Sequence, residues 1–350
     1  MKSIIEQVVF ILIILGNISS LRASEAFPEG EMANGNYVPG TVLIYDHGQW
    51  KTTEEENSVD PSKYTFVIIH GAHSSIKSEL ISQLAEALVD KRPEANILAV
   101  DWSVWSSVGS KKIFGWSIAI VRKLLSKKNN DETTLTNIFT EIVKNAIPVE
   151  QAKQIPEVAN RLTWKLFGEA RKTRTFTTLD PTSQKEIQSK MTSLGLDPQK
   201  THLIGHSHGA HVAGLTGMLV RKNELGQLDW ISALDPSTNL VHEYPENHLG
   251  TGWDESAARL VAVFRTTYFF SSERKATKDS LFFDLRAPNN PIDKLKPTFS
   301  SIKEACEEEL NNHSEVFSKF TEKIRKTGYL DEVFESSIPE EKENDELSPH

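Results

Sequence analysis

His202-Leu203-Ile204-Gly205-His206-Ser207-His208-Gly209-Ala210-His211-Val212-Ala213-Gly214-Leu215 is the stretch that decides how this chain folds. The apolar run His202-Leu203-Ile204 predicts a strand, and Val212 to Leu215 opens a predicted helix. Between them lies G-x-S-x-G. In so tight a strand-to-helix turn the serine is held in strained backbone geometry. Small residues two before and two after it are needed to avoid collision between strand and helix. Ser207 then stands alone at the top of a sheet, with the first amides of the next helix behind it. The bare pattern is common by chance, but lodged between a strand and a helix it points to the nucleophile of serine ester chemistry.

Working outward, further strands are predicted at Thr41-Val42-Leu43-Ile44-Tyr45, Phe66-Val67-Ile68-Ile69 and Asn96-Ile97-Leu98-Ala99-Val100. Others follow at Trp230-Ile231-Ser232-Ala233-Leu234, Arg259 to Phe264 and Ser280 to Phe283. Several are continuous apolar runs, as expected of strands buried on both faces of a parallel sheet. Helical spacing runs from Ser75 to Val89 through Ile76, Leu80, Leu84 and Leu88. Strands alternating with helices predict an α/β domain, a mostly parallel central sheet with helices on both faces.

With 350 residues, 38% hydrophobic and 25% charged, core size is not limiting. The net charge of −9 argues against nucleic acid and anionic membrane surfaces as partners. The single cysteine, Cys306, excludes an internal disulfide and a cysteine metal site. Lys2, the apolar core Val8 to Leu15 and the small-residue stretch ending Ala23-Ser24-Glu25-Ala26 predict a signal peptide over 1–26. That leader predicts a secreted or periplasmic protein, with no transmembrane segment in the mature chain. The main domain is expected over 27–335, with an acidic disordered tail over 336–350.

A serine hydroxyl needs a base, and the base needs an orienting carboxylate. Such groups belong just past the C-terminal ends of strands. Asp235 directly follows the strand ending at Leu234 and precedes Pro236. Judged alone it is an ordinary turn aspartate, but one strand after the serine it leads, with Asp284 and Asp254 as alternatives. Downstream of it the chain offers His242, His248, His313 and His350. His350 is the chain end, and His242 and His248 fall before the next strand. His313 remains, past the last strand and just before the helical run Val316, Phe320, Ile324. The oxyanion of an acyl-transfer intermediate needs two backbone donors. The amides of His208 and of Ala72, in the small-residue turn after His70-Gly71, are the candidates.

Four blocks together resemble the pancreatic lipase family: Phe66 to Gly71, Asn96 to Ser103, His202 to Gly214 and Leu234-Asp235-Pro236-Ser237. The resemblance spans roughly residues 40–325 and implies an α/β-hydrolase fold, the catalytic domain only. It implies Ser207 as nucleophile, Asp235 as acid, His313 as base, and the amides of Ala72 and His208 as oxyanion donors. Lipid esters are the implied substrates, with transient contact to a lipid surface and no cofactor. The family's calcium-loop carboxylates are only partly matched near Asp254, and no bound metal is expected. His208 replaces the family's usual leucine. Residues 286–312 occupy the lid position, and they hold many Pro, Lys and Glu but few large apolar residues. Residues 104–148 read as a helical insertion whose aromatic residues either cap the pocket or fill core. Two other functions fit the same sequence: a non-catalytic lipid-binding or interaction protein on this scaffold, and a soluble short-chain esterase or acyltransferase.

Overall fold

A computed structural model describes residues 41–53, 59–72, 74–103, 155–168, 193–237, 257–267, 281–286 and 299–327. The expected leader, the 104–148 insertion, the acidic tail, and Asp254, His242, His248 and His350 lie outside these residues. The described strands, in chain order, are β1 (Thr41–Asp46), β2 (Gln49–Thr52), β3 (Thr65–Ile69), β4 (Asn96–Asp101), β5 (Thr201–His206), β6 (Leu228–Leu234), β7 (Ala258–Arg265) and β8 (Leu281–Asp284). They form one sheet of eight strands in the order β2-β1-β4-β3-β5-β6-β7-β8. β1 runs antiparallel to both β2 and β4, and every other pairing is parallel.

β2 is a strand that the sequence did not predict. It joins β1 through His47-Gly48, both at positive φ (+47° and +81°), the backbone of a tight hairpin turn. Its residues Gln49-Trp50-Lys51-Thr52 are half-exposed at the sheet edge, so they carry no apolar run.

Among the described residues four α-helices pack on the sheet: α1 (Glu79–Lys91), α2 (Ile155–Phe167), α3 (His208–Lys222) and α4 (Phe299–Thr327). Successive strand residues point to opposite faces, and the core divides accordingly. Val67, Ile69, Leu203, Ile231 and Val263 join α2 and α3 on one face. Phe66, Ile68, Ile204, Trp230 and Phe264 join α1 and α4 on the other. Each such side chain, fully buried, contributes about 1.5–3 kcal/mol, which is why the central strands read as unbroken apolar runs. This is the α/β-hydrolase architecture, with helices on both faces as expected.

α1 begins at Glu79 rather than near Ser75. Ser75 to Ser78 make a turn instead, closed by the Ser78 N–H donating to the Ser75 carbonyl at 3.1 Å. Ile76 is buried from that turn, so its place in the helical spacing was coincidental. No described helix is long and apolar enough to cross a membrane.

The register aligns the strand ends that matter. Ile69 pairs with Gly205 and His206 with Leu234, so Ser207 and Asp235 are the next residues of neighbouring strands.

Candidate active site

Ser207 links β5 to α3 at φ +53°, ψ −118°, a backbone conformation that costs a serine on the order of 1–3 kcal/mol. The surroundings impose it. The Ser207 N–H donates to the Leu234 carbonyl of β6 at 2.9 Å, and its own carbonyl accepts from the Ala210 N–H at 3.1 Å. A Cβ on Gly205 would lie 2.3 Å from the Gly209 carbonyl oxygen. One on Gly209 would lie 2.3 Å from the Ile69 carbonyl oxygen. Both glycines are therefore required by backbone contact, the steric reason for the motif's spacing. Behind the serine lie the first-turn amides of α3, His208 among them.

Asp235 follows β6 directly, is wholly buried, and has positive φ (+43°). Its Oδ1 accepts from the Thr266 and Thr267 N–H groups at 2.9 and 3.2 Å. Its Oδ2 accepts from the Thr267 hydroxyl at 2.8 Å and lies 2.5 Å from His313 Nδ1. Burial opposes the charge on Asp235, but the bond from His313 and then those from Thr266 and Thr267 hold its carboxyl below the ordinary range. An ionised carboxylate only accepts, so His313 Nδ1 carries the proton and Nε2 is left as the basic atom. Asp284, the alternative acid, is instead half-exposed on β8 and paired with Arg286. Thr266 and Thr267 escaped the sequence reading, although they too lie just past the C-terminal end of a strand.

His313 is not in a loop before the helix, as expected, but in the middle of α4. Residues 299–312, half of the stretch assigned to the lid position, form the first half of the same helix. Asn311-Asn312-His313-Ser314 favours turns over helix by local propensity. The buried residues Val316, Phe317, Phe320 and Ile324 one turn further on override it.

His70, buried at the end of β3, fixes the turn that carries Ala72. Its Nε2 accepts from the Trp102 N–H at 3.3 Å, so Nδ1 bears the hydrogen and donates to the Gly71 carbonyl at 2.8 Å. The Trp102 indole N–H donates in turn to the His70 carbonyl at 2.9 Å. The Gly71 carbonyl and the Ala72 N–H belong to one planar trans peptide and point in opposite directions. Holding the first therefore orients the second. A Cβ on Gly71 would come within 2.9 Å of Ser207 Cβ, so this turn lies against the serine.

The His208 side chain is buried, with Nδ1 3.4 Å from the Ser237 hydroxyl, a long contact. Beneath it His211, pushed down to about pKa 4 by burial, donates from Nε2 to the Ser237 carbonyl at 2.8 Å. No group of three or more metal-ligating side chains occurs among the described residues.

Comparison with known proteins gives a partial match over the same elements. Residues 174–272 match the Lipase family, a span that includes Ser207, Asp235 and Thr267 but neither Ala72 nor His313. Phospholipase A1 of Vespula maculifrons is 34% identical over 90 residues, 25% of this chain and 28% of that protein. Pancreatic lipase-related protein 2 of Cavia porcellus is 38% identical over 80 residues, 23% of this chain and 17% of that protein. The chain thus matches less than a third of the length of either relative. Among solved structures, an α/β hydrolase enzyme from a deep-sea metagenome, MGS-M1, aligns with TM-score 0.32 and 12% identity over 81% of this chain and 95% of that one. At that similarity the fold rests on strand order and connection, not on the alignment. Over the segment that holds its elbow serine and buried aspartate, the chain is similar to the Lipase family, and its strand order is that of an α/β-hydrolase fold.

Proposed function

We propose that the protein is a serine carboxylic ester hydrolase acting on lipid esters. One observation carries the reading: a buried carboxylate 2.5 Å from an imidazole, one strand from a strained elbow serine. In the proposed mechanism His313 Nε2 takes the Ser207 proton as Oγ attacks the ester carbonyl carbon. Asp235 holds the imidazolium that results. The amides of Ala72 and His208 stabilise the tetrahedral oxyanion, a contribution of about 3–4 kcal/mol for a single donor. His313 returns the proton to the leaving alcohol as the C–O bond breaks and the acyl-enzyme forms. Water, deprotonated by the same imidazole, attacks the acyl-enzyme, and Ser207 Oγ leaves with the proton. These groups suffice for the chemistry without a cofactor.

The names of the relatives, phospholipase A1 and pancreatic lipase-related protein 2, support lipid esters as the substrate class. The leader-like N-terminus supports secretion. Labelling by a fluorophosphonate tests the reading. Wild type should label and Ser207→Ala should not, with hydrolysis of p-nitrophenyl esters down by about 10⁵–10⁶-fold. Equal labelling of the two proteins would sink it. Emulsified triglyceride and phospholipid alongside the soluble esters would separate a lipase from a short-chain esterase.

A further inference from the structure

His206, the residue before the serine, is assigned no role in the chemistry above. It ends β5 and is buried, and its ring is wedged between two elements. On one side a Cβ at Gly71 would come within 2.9 Å of its Nδ1. On the other, its ring centroid lies 4.6 Å from that of His313 and 4.9 Å from that of Phe317, one turn along α4. Its Nε2 is 2.9 Å from the main-chain carbonyl oxygen of His313. A carbonyl oxygen only accepts, so Nε2 carries the hydrogen and donates it.

The place of that bond on α4 gives it its meaning. Among the helix side chains that are described, the buried apolar ones, Val316, Phe317, Phe320 and Ile324, lie after His313. Asn311, by contrast, is exposed, and Asn312, His313 and Ser314 are half-buried. Apolar packing secures the helix from Val316 onward, and the turn that carries His313 is itself only half-buried. At that turn Asp235 holds the side chain through Nδ1, and His206 holds the main chain through the carbonyl. The two bonds fix different degrees of freedom. Asp235 sets the tilt of the ring, while His206 sets how far the helix stands from the elbow.

We propose that His206 is a positioning residue for the base: its Nε2–H ties the His313 carbonyl to the elbow, so that the imidazole keeps its distance from Ser207. The inference rests on the triad reading above for its consequence in catalysis, but not for the bond itself. A misplacement of about 1 Å at a reacting group can cost on the order of 10²-fold in rate. A static core residue at this position would contribute to stability alone.

The test has two parts. The first reads the wild-type protein directly. Ring ¹⁵N NMR of His206 should show the Nε2–H tautomer, and an Nδ1–H tautomer would overturn the inference without any variant. The second follows the low-field Nδ1–H proton of His313, assigned by its loss in His313→Gln. His206→Phe keeps a ring but removes the donor, and His206→Leu serves as a smaller substitute if the larger ring crowds Gly71. Both should lose or broaden the His313 resonance and lower kcat by about ten- to a hundredfold with KM nearly unchanged. His206→Gln, whose amide N–H reaches to the place of Nε2, should restore both. A resonance that persists in folded Phe and Leu variants, or a kcat equal to wild type, would overturn the assignment. An inactive wild type would refute the ester hydrolase reading instead, and the NMR readouts would still judge the His206 bond.

Discussion

The arm that carries Ser207 and the arm that carries His313 meet beside the same strand ends, but different forces hold them there. On the serine arm, β5 is buried throughout and α3 is buried at every position from His208 to Gly214. Backbone meets backbone so closely at Gly205 and Gly209 that no side chain fits. The histidine arm is a long helix with exposed charged residues, docked by a few apolar side chains and by polar contacts such as the Lys319 ammonium to the Leu285 carbonyl at 3.3 Å. Main-chain sterics therefore place Ser207, and side-chain contacts place His313. The first tolerates almost no substitution, whereas the second can be adjusted by single hydrogen bonds.

The largest effect expected from this contrast falls on the fold. Gly209→Ala would drive a Cβ to 2.3 and 2.4 Å from the Ile69 and His70 carbonyl oxygens, which cannot retreat without opening β3. A loss of about 3 kcal/mol or more is expected, a large share of a typical domain's stability. The soluble yield and melting temperature of the variant would check it, and a wild-type melt would break the contrast.

Next comes an effect on rate alone. Asp235→Asn should keep the fold, because its amide oxygen still accepts from Thr266 and Thr267. It would present the wrong partner to His313 Nδ1 and lower kcat by about 10⁴-fold. A melting temperature near wild type beside that loss would sharpen the division between arms.

The smallest effect is a slope with pH. His202 on β5 and His211 on α3 are buried, and burial pushes their pKa values down to about 3 and about 4. In the unfolded chain both titrate near 6.5. Above that pH neither affects stability. As pH falls below it, the unfolded chain binds protons that the fold refuses, and each histidine costs up to about 1.4 kcal/mol per pH unit. The loss ends near pH 4 for His211 and near pH 3 for His202. Asp235, with its lowered pKa, begins to contribute a loss only as pH falls below about 4. Denaturant titrations from pH 7 to 5 should therefore show falling stability carried by the serine arm. His202→Phe, in the ring stack with Trp230 at 4.5 Å, should flatten that slope. An unchanged slope would show that another group carries it.

The serine arm was largely legible in the sequence because its constraints are local. An apolar run, two glycines and a small-residue helix start are all that the elbow needs, and they lie within a dozen residues. The buried parallel strands were legible for a related reason, since both faces demand apolar side chains. β2 was not, because an edge strand half open to water needs no apolar run. The shape of the histidine arm was not legible. His313 emerged from the order of residues, while its helix depends on packing partners at Val316 to Ile324 that override two asparagines and a serine. Thr266, Thr267 and His206 make their contacts with residues 31 to 107 positions away, and no local pattern marks them.

His313 sits on the last described helix, 78 positions after Asp235. During synthesis the sheet up to β7 exists before α4 does. At about 5–20 residues per second, the carboxylate is made roughly 4–16 s before the imidazole, and the serine earlier still. On the proposed mechanism, a nascent chain thus carries the nucleophile but lacks the base that activates it until α4 has docked. Timing of this kind would keep the proposed site silent while the chain is still being made.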